Sequence, residues 1–306
     1  MKAVYFDQIG PSEVLTLGDM PNPLAARGEV VIDIHAASVN AADWRGRSGT
    51  FGAIDTFPHI PGRDFSGVVS ALGDGVEGLK IGDAVFGVCP SGQEGTYTEK
   101  LAVNADVVAP KPAGLTHVEA AAVALTGLTA LVSLEDTLKL QSGEVILIQG
   151  GAGGVAGFSV QLAKHLGAYV ISTASGANLD YLRELGADEV IDYQTQDFTT
   201  LTPPCDAVFD TVGGDVALRS FEVLKPGGRA AFIHQRDAPQ PTRGDVTALR
   251  PAVGRDQAHL TRIGDLLTSG AIKPPQITQF ALPDAAQAHR ISEARHLRGK
   301  LVFKIR

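Results

Sequence analysis

The chain has 306 residues, 44% of them hydrophobic, about two average domains in length with ample apolar content for sizeable cores. A formal net charge of −8, with no lysine-arginine run, gives no reason to expect nucleic acid as a partner. Two cysteines, Cys89 and Cys205, cannot make a disulfide framework or a cysteine-rich metal lobe, and they read as reduced, buried thiols.

The first residues, Met1-Lys-Ala-Val-Tyr-Phe6, are already strand-like and lack a charged-then-apolar leader. No apolar run approaches membrane-spanning length, so no membrane partner is expected and the cytoplasm is the expected location. Short strand-like runs at 30–34, 67–69 and 84–86 sit among glycine and proline turns, which predicts a partly β, barrel-like domain. From about residue 115 the pattern changes. A helical tract runs from 119 to about 140, and strands at 145–148, 169–173, 189–191, 207–209 and 230–233 follow. Helices at 179–185 and 216–224 fall between them, the alternation of a doubly wound parallel sheet. Residues 235–256, rich in Pro, Arg, Gln and Gly, read as a long surface or interface loop. The remainder supplies helices at 259–267 and 284–293 and a final strand at 300–305, too little for a domain. The expected fold is therefore α/β, with a discontinuous β-rich domain (1–114 and 257–306) and a doubly wound domain (115–256).

Between the strand at 145–148 and the second strand at 169–173, Val155, Phe158, Leu162 and Leu166 recur at helical spacing, with Gly167 as a C-cap. The intervening glycines thus occupy a strand-to-helix turn. Gly151-Ala-Gly153-Gly-Val-Ala156 fits the dinucleotide pattern G-x-G-x-x-G/A, with alanine in the third place. Gly151 permits the tight turn, Gly153 lets the backbone approach a pyrophosphate, and Ala156 lets helix and strand pack closely. Gly154 and Val155 open the helix whose N-terminus faces the phosphates. The second strand ends Thr173-Ala-Ser175, with no carboxylate before Asp180. Ser175 can donate to a 2′-phosphate oxygen and leaves its charge unopposed, which favours NADPH over NADH; as a plain helix cap it would suit either.

The order of motifs along the chain resembles the medium-chain dehydrogenase/reductase superfamily, in its zinc-free quinone oxidoreductase or zeta-crystallin-like branch. The carriers include Ser38-Val-Asn-Ala-Ala-Asp43, Pro61-Gly-Arg-Asp-Phe-Ser-Gly67, Leu125-Thr-Gly-Leu-Thr-Ala130, the glycine turn, Asp210-Thr-Val-Gly-Gly214, Lys225-Pro-Gly-Gly228 and Gly299-Lys-Leu-Val302. The resemblance implies a GroES-like catalytic domain joined to a Rossmann domain. Zinc alcohol dehydrogenases of this superfamily use an early cysteine and a Gly-His-Glu turn, because Zn²⁺ needs thiolate and imidazole around an open position. Here Asn40 stands for the cysteine and Gly62-Arg63-Asp64 for Gly-His-Glu, so no metal is expected. Without a Lewis acid for the alkoxide, alcohol oxidation is disfavoured. Hydride addition to a quinone or a conjugated C=C gives a delocalised anion that hydrogen bonds can stabilise.

The resemblance further implies that Thr126 holds the carboxamide side of the nicotinamide, that Val212 and Ile233 line its path, and that Tyr193 lies near the adenosine phosphate. Plainer readings stand beside these: Thr126 as a helix cap or bend, Val212 and Ile233 as core, Tyr193 as a half-buried strand-end aromatic. Asn40 is the candidate hydrogen-bond donor in the substrate pocket, and Asp43 fixes its loop. Trp44, Phe51 and Phe57 form an apolar lid or simply pack. Enoyl-thioester reductases of the family carry a tyrosine proton donor where Phe51 stands, which argues against acyl-thioester reduction. His117, His259 and His289 make no metal-like pair and read as solvated or core-edge residues. The implied activity is NADPH-dependent reduction of quinones or α,β-unsaturated carbonyls by a homodimer joined through the edge of the nucleotide-binding sheet. The other function class left open is a non-catalytic NADPH-binding structural protein of the crystallin type.

Overall fold

The computed structural model describes residues 1–306 apart from Phe51, Ala53, Ser91, Glu94, Gln235 and Arg236. The chain divides into two units, Met1–Leu125 with Arg255–Thr268 and Pro274–Arg306, and Thr126–Gly254 with Ser269–Lys273. The division falls inside the helical tract rather than at residue 115. Ser269–Lys273 joins the second unit because Gln161 clasps Lys273 through both its carbonyl and its amide, at 2.9 and 3.2 Å.

In chain order, β1 (Lys2–Tyr5) pairs antiparallel with β2 (Thr16–Asp19), and β3 (Glu29–Ser38) leads into a short helix, α1 (Ala41–Arg47). Strands β4 (Asp64–Leu72), β5 (Ala84–Val88), β6 (Lys100–Asn104) and β7 (Val108–Pro110) follow. Val30, Ile32 and Ile34 alternate into the core of this sheet with Phe65, Val85 and Leu101. β3 and β4 approach so closely at Gly67 that a β-carbon there would stand 2.2 Å from the carbonyl oxygen of Asp33, which is why a glycine interrupts an otherwise apolar strand.

Next comes α2 (His117–Leu131), continued by a wider π-helical stretch, Val132–Thr137. His117–Thr137 is by length and composition apolar enough to cross a membrane, contrary to the expectation that no run comes close. Its apolar residues point in every direction because 78% of its most apolar window is buried inside the protein, as in the core helix of a large domain.

The second unit is built from β8 (Val145–Gln149), α3 (Gly154–His165), β9 (Tyr169–Ala174), α4 (Leu179–Glu184), β10 (Glu189–Asp192), α5 (Phe198–Leu201), β11 (Cys205–Asp210), α6 (Asp215–Arg219), β12 (Leu224–Phe232) and β13 (Thr247–Leu249). All six strands are parallel, in the order β10-β9-β8-β11-β12-β13. Ile146, Leu147, Ile148, Val208 and Phe209 are fully buried, as strands covered on both faces require. Two expectations change. The helix expected at 216–224 ends at Arg219, because Phe221 and Leu224 follow core packing rather than helical spacing, Phe221 lying 5.4 Å from Phe232 ring to ring. The loop expected at 235–256 contains β13, which adds a sixth strand at the sheet edge.

The tail supplies α7 (Gln257–Thr268), β14 (Ile277–Phe280), α8 (Ala285–Glu293) and β15 (Lys300–Lys304). β15 inserts beside β3 in antiparallel register, Val302 opposite Ser38, and completes the first unit's sheet in the order β14-β15-β3-β4-β5-β7, with β6 also on β3. Phe303 is fully buried against the edge of Tyr97, ring centroids 4.6 Å apart.

Under β15 runs a buried polar chain. Tyr97 Oη donates to Asp43 Oδ2 at 3.0 Å and lies 3.3 Å from His289 Nε2, which makes Nε2 the protonated nitrogen of the ring. Arg47, 1% exposed, pairs with Glu293 of α8. His289 is therefore a core residue rather than a solvated or core-edge one. Burial, aided by Arg47, pushes its pKa down to about 3, while burial pushes the Asp43 carboxyl up to about 7 against the pull of Arg63. Asp43 also accepts the backbone N–H of Asn40 at 2.8 Å, closing a capping box at the start of α1.

Phe303→Ala should lower unfolding free energy by about 3–5 kcal/mol, read from urea denaturation, because a fully buried aromatic leaves a cavity the sheet cannot close. The two buried titrating groups act in opposite directions on stability. Below about pH 6.5 the unfolded chain takes a proton that folded His289 refuses, so His289 costs stability as pH falls. Folded Asp43 keeps a proton that the unfolded chain loses above about pH 4, a contribution that fades as pH rises towards 7. His289→Gln, which retains a donor for Tyr97, should shrink the loss of unfolding free energy between pH 7 and pH 5; an unchanged loss would mean that His289 is not held neutral in the core.

Candidate cofactor site

The parallel sheet reverses its strand order between β8 and β11, with β9 and β10 on one side and β12 and β13 on the other. Loops leaving the carboxyl ends of two such strands diverge and open a crevice. The expected residues follow that edge: the glycine turn after β8, Ser175 after β9, Tyr193 after β10, Val212 after β11 and Ile233 after β12.

The turn is clamped onto β9. Thr173 Oγ1 donates to Gln149 Oε1 at 2.6 Å and accepts the Gly150 N–H at 3.2 Å, and the Gly151 N–H donates to the Thr173 carbonyl at 2.9 Å. A β-carbon at Gly151 would stand 2.2 Å from Ser172 Oγ and 2.9 Å from Leu182 Cδ2, so the fold itself excludes a side chain there. Gly150, absent from the expected set, adopts φ +79° and faces Thr211 Oγ1 at 2.8 Å and Val212 Cγ2 at 3.0 Å from its would-be β-carbon. The sign of it in the sequence is the extra glycine just ahead of the motif.

Gly153 differs from both. Its backbone is extended (φ −75°, ψ 162°), which any residue adopts, and a β-carbon would meet nothing nearer than the Gly150 carbonyl oxygen at 3.5 Å. Among the described residues nothing requires glycine here, yet a side chain would fill the space in front of the first turn of α3. That is the cradle a pyrophosphate needs. The amides of Gly154, Val155 and Ala156 lie in that turn without intrahelical partners, and no acidic side chain stands there to compete with an anion. The residues present therefore fit a dinucleotide.

At the end of β9, Ser175 is half-buried and its Oγ accepts from Asn178 Nδ2 at 2.9 Å, which leaves the hydroxyl hydrogen of Ser175 with no protein partner among the described residues. Tyr193 is 49% exposed and tied to β9 by its N–H, 3.1 Å from the Ala174 carbonyl oxygen. Val212 is 39% exposed beside Gly150. Its N–H and that of Gly213 donate to the two oxygens of fully buried Asp210 at 3.0 and 2.9 Å. Burial pushes the Asp210 carboxyl up against these two bonds. Asp210 thus shapes the turn that presents Val212, and the Asp-x-x-Gly-Gly spacing was its sequence sign. Ile233 is half-buried, its N–H 3.3 Å from the Asp210 carbonyl oxygen. Thr126 is a buried residue of α2.

In the first unit, the residues at the family's metal-ligand positions form a hydrogen-bonded cluster. Asp64, fully buried, accepts from Ser38 Oγ and Asn40 Nδ2 at 2.9 Å, and Lys300 Nζ donates to Asn40 Oδ1 at 2.7 Å and to the Val39 carbonyl at 2.8 Å. Burial pushes the Asp64 carboxyl up and the Lys300 ammonium down, each opposed by the charge of the other. Asn40 is thus held at both ends of its amide, so it ties the loop before α1 to β4 and β15 rather than standing as a free donor. Among the described residues no three His, Cys, Asp or Glu side chains gather as metal ligands. The aromatic candidates separate: Trp44 lies under the guanidinium groups of Arg45 and Arg295, while Phe57 meets Phe6 edge-on at 6.0 Å. Phe51 lies outside the described residues. His117 bonds Ser66 Oγ at 2.8 Å and stacks on His35, and His259 pairs with Asp256. Both cysteines are buried and outside any disulfide, and burial pushes Cys205 up to about 12.

Residues 26–124 match the alcohol dehydrogenase GroES-like domain family, and residues 185–303 match the zinc-binding dehydrogenase family. The chain is 37% identical to a 2-methylene-furan-3-one reductase of Solanum lycopersicum, over 90% of this chain and 71% of the relative. It is 32% identical to an NADPH-dependent alkenal/one oxidoreductase of Arabidopsis thaliana, over 99% of this chain and 79% of the relative. The solved quinone oxidoreductase of Coxiella burnetii superposes with a TM-score of 0.92 at 36% identity, covering 100% of this chain and 99% of that one. With the strand order, the glycine turn and the discontinuous first unit, these similarities establish that the chain belongs to the medium-chain dehydrogenase/reductase superfamily, in its quinone oxidoreductase branch.

Proposed function

We propose that this chain is an NADPH-dependent reductase of quinones or α,β-unsaturated carbonyls that works without zinc. The observation that carries the reading is the vacant face of Gly153, a glycine the protein does not need, at the N-terminus of α3 beside the reversal of strand order. Relatives named as alkenal/one and quinone oxidoreductases support the substrate class.

When bound, the nicotinamide supplies a hydride to an electron-poor carbon or quinone. The chain's part is to bind, orient and exclude water. The amides of Gly154 and Val155 neutralise the pyrophosphate, with Gly151 and Gly153 leaving it room. The free hydroxyl hydrogen of Ser175 donates to a 2′-phosphate, and Tyr193 flanks the adenosine end. Val212, Ile233 and Thr126 hold the nicotinamide side, Val212 from the turn that the Asp210 side chain fixes. In the first unit, Lys300 and Asp64 hold the two ends of the Asn40 amide and so fix the loop before α1. The single proton that completes the reduction comes from solvent on this reading. β13, the three-residue edge strand, is the element through which two copies would extend their sheets into a homodimer.

Gly153→Val should weaken NADPH binding at least about a hundredfold, or ~2.7 kcal/mol, while leaving the thermal midpoint within a few degrees. Unchanged affinity by calorimetry would remove the turn from the cofactor site. Oxidation of NADPH followed by absorbance with 9,10-phenanthrenequinone, 1,4-benzoquinone and a short enone should give turnover that a chelator does not abolish. Tight NADPH binding without turnover on any acceptor would instead favour a structural, crystallin-type role, and loss of turnover with the chelator would return metal to the mechanism.

A further inference from the structure

We infer that Asp192 sets how far the site separates NADPH from NADH, and that the chain accepts both. The inference rests on the nucleotide-binding reading above and extends it to the adenosine ribose. In a βαβ nucleotide fold that ribose lies at the carboxyl end of the second strand, here β9. In the parallel pairing of β9 with β10, Asp192 stands opposite Ala174, the last residue of β9. Its carboxylate leans across the start of the following loop, where a β-carbon at Gly176 would lie only 2.9 Å from Oδ2. Glycine at 176 is thus what gives the carboxylate its place there.

The carboxylate is fixed rather than swinging. Oδ1 accepts the Gln194 N–H at 3.1 Å and Oδ2 accepts from Thr195 Oγ1 at 3.2 Å. Each oxygen keeps a further lone pair, so the group can still accept from a ribose hydroxyl. In the two loops that frame this position, 174–178 and 192–196, Asp192 is the one charged side chain. The basic groups on neighbouring elements are engaged elsewhere, Arg183 with Asp180 and Lys164 with Asp188. A 2′-phosphate therefore meets one neutral donor, Ser175, and one fixed negative charge, with no guanidinium or ammonium in these two loops to offset it. A 2′-hydroxyl meets the same pair as donor and acceptor. The arrangement rewards the phosphate weakly and the hydroxyl about as well, which is the chemistry of a site with dual cofactor use.

Dissociation constants for NADPH and NADH, measured by isothermal titration calorimetry without acceptor, test this on the whole chain. Wild-type protein should bind the two within about tenfold of each other, and Asp192→Asn should tighten NADPH about five- to tenfold without tightening NADH. Asparagine keeps a carbonyl acceptor for the Gln194 N–H, and its amide nitrogen can donate to Thr195 Oγ1 with that bond reversed, so the loop is retained. Thr195→Val loosens the same loop and keeps the charge, and it should leave the ratio of the two constants unmoved. Parallel changes for both nucleotides in Asp192→Asn, an unmoved NADPH constant, a wild type that does not bind NADH, or the same shift in Thr195→Val would each overturn the inference alone. A wild type that binds neither nucleotide would overturn the underlying reading and the inference with it.

Discussion

The rest of the second unit depends on one close approach, the backbone of residues 150–151 pressed against β9. A hydroxyl at position 173 bonds both sides of the turn, and the face towards Ser172 and Leu182 has no room for a carbon. Because the turn is pinned to its neighbouring strand, α3 leaves the sheet at a fixed angle and its unpartnered amides converge on one point. The adjoining turn after β11 is fixed by different means, a buried carboxylate bonded to two successive amides. One crevice is thus held on one side by a steric constraint and on the other by a buried carboxyl group bonded to two amides. Neither arrangement tolerates an extra atom or a missing bond, which is what orienting a ligand requires.

The first unit solves a different problem. Its β3, β4 and β15 bring a carboxylate and an ammonium into an interior where each alone is costly. The shared partner is Asn40, with its carbonyl turned to Lys300 and its amide to Asp64, so the ion pair is bridged by a dipole with the matching polarity. The capping box at Asn40 and Asp43 then converts this buried electrostatic arrangement into the direction of α1. Loop geometry in this unit follows from charge neutralisation in the core more than from the loop's own sequence.

The fold was largely legible from periodicity and punctuation. The strands of the parallel sheet read as apolar runs because both faces are covered, and the glycine turn was legible as a strand-to-helix connection because strand and helix periods flank it. What escaped were features set by tertiary contact. The apolar spacing from Ala217 to Leu224 suits a helix, but Phe221 and Leu224 are drawn into the core and the chain straightens into β12. β13 is only three residues long, too short for alternation to register. In the site, the glycines were legible, but the demand for each was not: Gly150 and Gly151 are needed by the protein, whereas Gly153 is not. Asn40 was read as a polar group facing a pocket because its partners, Asp64 and Lys300, lie far off in sequence. His289 was read as peripheral because nothing local announces that α8 carries it under β15.

The insertion of β15 between β14 and β3 also bears on how the protein is made. Every strand of the parallel sheet has been synthesised by residue 249, whereas the seven-stranded sheet lacks a central member until residue 304 is added. Until then β3 exposes a backbone edge and Asp64 is without its counter-charge. Synthesis thus runs in one order and completion in another: β3 to β7 are made before the parallel sheet yet belong to a sheet that closes after it, and the nascent chain must keep an unfinished edge from pairing elsewhere until β15 arrives.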